Sequence, residues 1–171
     1  MRDRRDVTLN NVMFPIWMLW LFPMTWLIVL PANLAIDLLV LLIAMRCMGV
    51  ANIKQNALRA IVRVWLMGFV ADFVGTALMF AATLPSFDGA FGEWWYHNIA
   101  NAVSFNPFKN GYALLYATLC IAVSALCIYW FNRRFCLKKT ELDDRQKQRL
   151  SLVLAIATAP YLFYFPSALI Y

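Results

Sequence analysis

Charge is what this sequence has least of. Of its 171 residues only 14 % are Asp, Glu, Lys or Arg, whereas 63 % are hydrophobic; an ordinary soluble domain carries about a quarter charged residues. So sparse a set cannot cover a water-facing surface, and lipid is the expected solvent for most of the chain. Histidine is nearly missing too: His97 stands alone, and Cys47, Cys120, Cys127 and Cys136 form no C-x-x-C pair. A zinc site needs three or four ligands at workable spacing, so neither a metal nor a cofactor is expected. Cys120 and Cys127 would lie ~10.5 Å apart along a helix, beyond the ~7 Å Cα limit for a disulfide. The cysteines read as reduced packing residues. Walker, Rossmann and Gly-x-Ser-x-Gly runs are absent, which leaves little to point to an enzyme. The net charge of +6 is not interleaved with any nucleic-acid-reading pattern, and no nucleic-acid partner is expected.

What the chain does have is apolar length. A helix needs about 20 apolar residues to cross a ~30 Å hydrocarbon core. Windows of that size predict strong spans at 32–50, 64–84, 112–132 and 151–171, with a further apolar piece at 13–30. The fold class is therefore all-α, a polytopic transmembrane bundle of four strong spans plus an N-terminal apolar helix that forms a hairpin or a re-entrant or interfacial segment. No linker, low-complexity tract or repeat divides 1–171, which reads as one integral membrane domain. The stretch after "MRDRRD" is too long for a signal-peptide h-region of about 7–15 residues and is expected to be retained.

Two readings fit the N-terminal part. Helices 13–30 and 32–50 could form a tight hairpin broken at "LPAN", since Pro31 cannot continue the incoming helix. Alternatively 13–23 lies at the interface and one helix, kinked at Pro31, crosses. The hairpin is preferred because it keeps Arg2, Arg4 and Arg5 on the side of the other basic residues. Segment 46–63 holds Arg46, Lys54, Arg59 and Arg63, and segment 133–150 holds seven basic residues. Both are expected in the cytoplasm, with 85–111 and the end at Tyr171 outside. A cell membrane, the cytoplasmic membrane of a bacterium, is the expected location.

Within the run Met13–Met45 the single charge is Asp37. It stands nine residues before Arg46, and Asp72 stands nine after Arg63, so each is ~13.5 Å along its helix from a basic end. Asn33 and Thr76 repeat the match one turn further out, thirteen residues from the same arginines, while Ser124 and Thr158 lie nine residues from Arg133 and Arg149. Asp37, Asp72, Ser124 and Thr158 thus fall near one midplane level, one on each strong span, with Asn33 and Thr76 a turn further out. Helical spacing sets them on faces with small residues, Gly68, Ala71 and Gly75 beside Asp72, and Ala113, Ala117 and Cys120 beside Ser124, where helices approach closely in lipid. Intramembrane carboxylates are costly and commonly functional. Two that meet in a low dielectric would share a proton or bind a cation. The plain alternatives are a neutral or hydrogen-bonded pair, held by Asn33, Thr76 or backbone, that only joins helices, and pairing with a basic group of another subunit.

The connection 85–111 carries a helix expected over Phe91–Phe105, with Trp94, Trp95 and Tyr96 suited to an interface. A sharper reading makes it a lid in which Asp88, Glu93 and His97 meet an extracytoplasmic ligand. The function that best fits is a transporter or channel subunit passing a proton, cation or small solute, embedded in the lipid bilayer and joined in a homo-oligomer or to a membrane-protein partner. An accessory subunit of a larger membrane complex and an enzyme acting on a lipid-linked substrate are the alternatives.

Overall fold

The computed structural model describes residues 23–167, which are helical, with no strand among them. Helix α1 runs Pro23–Cys47, α2 Ile53–Ala81, α3 Gly89–Trp95, α4 Asn101–Phe105, α5 Gly111–Arg134 and α6 Asp144–Ala157. Four of them close a ring: α1 packs on α2, α2 on α5, α5 on α6 and α6 back on α1.

Among the described residues three helices are long and apolar enough to cross a membrane: α1, α2, and α5 with the 3-10 turn that follows it. Four strong spans plus a further helix are not what forms. The stretch 151–171 has the hydropathy of a span, but α6 stops at Ala157 after 14 residues, ~21 Å. Pro160 lacks an amide N–H and disfavours helical backbone at the residue before it, and Pro166 repeats the block. Over 151–167 the chain is therefore a helix that ends early, followed by non-α-helical chain with a 3-10 turn at Tyr161–Tyr164.

The N-terminal hairpin with its break at "LPAN" does not form either. Pro31 lies inside one continuous helix, α1. The proline leaves the Leu27 carbonyl without its helical donor, and the next helix braces the same stretch at another point: the Trp65 indole N–H donates to the Leu30 carbonyl at 3.0 Å. A single continuous helix through Pro31 is what the chain adopts over 23–47, and residues 13–22, with the rest of that expectation, lie outside the described residues.

Both basic segments gather at one end. The Arg59 guanidinium pairs with Glu141 at 2.6 Å, Asn56 Oδ1 accepts from the Glu141 N–H at 2.8 Å, and Arg63 and Cys136 exchange contacts with each other's backbone carbonyls. Asp143 and Gln146 form a capping box that starts α6 there, satisfying helix-end N–H groups. At the opposite end the 85–111 connection is helical from Gly89, two residues earlier than Phe91, and is interrupted by a π turn at Tyr96–Ala100. The Trp95 indole N–H fastens it to the Ala82 carbonyl.

The buried apolar side chains fall into two clusters. One, toward the basic end, contains Leu41, Ala71, Ile128 and Leu154. The other contains Met79, Ile121, Ala159 and Phe163. The outside is apolar as well, with Leu27, Ile28, Leu58 and Leu126 among its exposed side chains.

Candidate functional site

A polar layer separates the two apolar clusters. On α2, Asp72 and Thr76 fall between Ala71 of one cluster and Met79 of the other; on α5, Ser124 falls between Ile128 and Ile121. Thr158 falls between Leu154 and Ala159, and Asp37 lies one turn from Leu41. The small-residue faces are the ones turned inward: Ala71, Asp72, Gly75 and Thr76 are buried, whereas Leu66, Val70, Phe73 and Phe80 are exposed.

Two of these groups are acids, and both are buried to 6 % exposure. Asp37 and Asp72 line one cavity of ≈ 460 Å³, together with Asn33 and Thr158. Gly68 lies between them along the wall, its missing Cβ position 3.6 Å from Asp37 Oδ2. The far wall is the chain after α6, from Ala157 to Pro166, with Phe108 from the opposite end. No lysine, arginine or histidine is among these lining residues.

Hydrogen bonding leaves the acids alone. Thr76 spends its hydroxyl on the Asp72 backbone carbonyl, and Thr158 spends its own on the Leu154 carbonyl. Asp72 Oδ1 is fully buried without a partner. Thr76 and Ser124 do not line the cavity. Ser124 Oγ is a buried hydroxyl with no partner, pressed against Gly75, where a Cβ would collide with it and with the Phe163 ring. That close approach is what lets Phe163, 1 % exposed, seat the irregular segment between α2 and α5. Tyr164 Oη donates to Thr118 Oγ1 and Ser167 Oγ donates to the Ser104 carbonyl, so the post-α6 chain is tied along its length.

The outer candidates are placed elsewhere. Asp88, Glu93 and His97 are exposed and line neither this cavity nor the smaller one of ≈ 150 Å³ beside Trp95 and Ser104. Among the described residues no group of three potential metal ligands exists. The aromatic wall, Phe69, Phe108, Tyr161, Tyr164 and Phe165, was not singled out by sequence reasoning. For three of these rings, Tyr161, Tyr164 and Phe165, the sequence signal is the density of aromatics in "PYLFYFP", which hydropathy reads as one more apolar span.

No protein family, curated protein or solved structure is matched by this chain. The site's own chemistry carries the functional argument.

Proposed function

We propose that this is a small multi-pass membrane protein, a transporter or channel subunit in which Asp37 and Asp72 form a midplane acidic site for passage of a proton, cation or small solute. The observation that carries the reading is one cavity holding two buried carboxylates, with no basic group among its lining residues and, among the described residues, no hydrogen-bond partner for Asp72 Oδ1. A carboxylate kept in so dry a place at a cost of ~3 kcal/mol or more is poorly explained as a helix fastener when it fastens nothing. The half-length α6 adds to this. Irregular backbone at membrane depth is tolerated where it lines a cavity, and interrupted helices at the midplane are a common setting for ion and substrate sites.

The basic end, with segments 46–63 and 133–150, is cytoplasmic by the distribution of Lys and Arg. The start of α1 and the helical connection 85–111 are then outside, in a bacterial cytoplasmic membrane. Three spanning helices and one half helix offer few walls, and Ile36, Tyr161 and Leu162 on the rim of the cavity are exposed. In this reading a second copy or another membrane protein supplies further walls and leaves this rim open to lipid. The geometry gives an extracytoplasmic enzyme site no support, because no cavity gathers Asp88, Glu93 and His97. Reconstitution in liposomes tests the proposal: proton or cation flux that Asp37→Asn or Asp72→Asn abolishes is expected. Flux that is absent, or indifferent to both substitutions, overturns it.

A further inference from the structure

We infer that the cavity shared by Asp37 and Asp72 takes an amphipathic organic cation, an ammonium or delocalised aromatic cation carried on an apolar body, in preference to a bare metal ion. The inference rests on the acidic-site reading above and names its ligand.

Size is the first argument. A volume of ≈ 460 Å³ falls in the range of about 300–1,000 Å³ that holds small organic ligands. A dehydrated metal ion instead asks for about six to eight oxygens at ~2.3–2.6 Å, a shell that fills far less space.

The walls are the second. In the same cavity as the two acids stand the rings of Phe69, Phe108, Tyr161, Tyr164 and Phe165. The Tyr161 hydroxyl donates to the Ile156 carbonyl and the Tyr164 hydroxyl to Thr118, so both phenol protons are committed and the rings are held in place. Aromatic faces attract cations and accept apolar bodies equally. Negative charge and π-faces lining one cavity recognise positive charge without directional hydrogen bonds.

The third is access. The exposed rim at Ile36, Leu162 and Phe165 lets a ligand enter sideways from an apolar phase, a route open to an amphipathic cation and closed to a hydrated ion. Such a cation competes with protons for the same two carboxyl groups, so binding weakens as pH falls.

Tritiated tetraphenylphosphonium, titrated against the full chain in lipid nanodiscs, tests the assignment. Saturable binding is expected, weakened about tenfold or more by Asp37→Asn or Asp72→Asn, and left in place by excess Na⁺ or Mg²⁺. Phe165→Ala, at a rim position where folding is not at stake, is expected to weaken it roughly three- to tenfold and decides the matter if the Asp variants do not fold. Binding that survives the Asp and Phe variants, or that Na⁺ or Mg²⁺ displaces, overturns the proposal. So does an absence of binding while liposomes still show proton or Na⁺ flux, an outcome that leaves the acidic passage standing. Binding without flux of any kind supports the ligand and removes the passage.

Discussion

Asp72 makes no hydrogen bond through its buried Oδ1, and that fact separates a working acid from a structural one. A carboxylate that ties helices together is missed when removed, commonly by about 1–3 kcal/mol where a buried group loses its partner. One that ties nothing is not missed. Asp72→Asn is therefore expected to hold or raise the apparent melting temperature in detergent while abolishing flux; a fall of several degrees would make the residue a fastener. Gly75 is the reverse case. Any Cβ there meets Ser124 Oγ and the Phe163 ring, so Gly75→Ala is expected to destabilise the fold by about 1–3 kcal/mol through overpacking. Chemical unfolding of Gly75→Ala with and without Ser124→Gly measures it, the second change restoring part of the loss because the two sites touch.

At the level of elements, the basic end is held by unequal contacts. The Arg59–Glu141 pair is exposed, with its side chains 37 % and 53 % accessible, and exposed pairs contribute about 0–1 kcal/mol. Asn56 is 1 % exposed; it donates to the Ala51 carbonyl and accepts from the Glu141 N–H, stitching the α1–α2 turn to the segment before α6. Asn56→Ala is expected to cost about 2 kcal/mol, the range for a buried hydrogen-bonded side chain that leaves partners unpaired. Arg59→Ala is expected to cost less than about 1 kcal/mol. Thermal unfolding of both variants ranks them, and equal losses would show that the ion pair carries the junction. Hydropathy alone reads α6 and its continuation as one span, because it scores Pro160 and Pro166 as merely non-polar-neutral residues and is blind to their missing N–H groups.

Taken as a whole molecule, the chain places its four described cysteines so that topology can be read directly. Cys47 is exposed beside Arg46 at the basic end, while Cys120 and Cys136 are buried and Cys127 is half-buried. A membrane-impermeant maleimide is expected to label Cys47 in inside-out vesicles and not in intact spheroplasts, with His97→Cys, at the opposite end, showing the reverse. Labelling of Cys47 from outside would invert the orientation and move the entrance of the cavity with it.

Composition and spacing by themselves determine the helical class, the apolar outside, the gathering of the basic segments at one end and the inward faces of α2, α5 and α6. These properties follow from local periodicity and from where charge is affordable, and both are written residue by residue. The level shared by Asp37 and Asp72 is also legible, because rise per residue converts sequence distance into depth. Only the tertiary structure shows that Pro31 stays inside a helix, one that the Trp65 indole braces from α2 at the Leu30 carbonyl. It alone decides that α6 ends half-way and that three aromatic rings of the following chain, Tyr161, Tyr164 and Phe165, line the cavity of the acids, since a chain released from the helix by proline takes its path from what it packs against, and Phe163 finds its seat only beside Gly75 and Ser124.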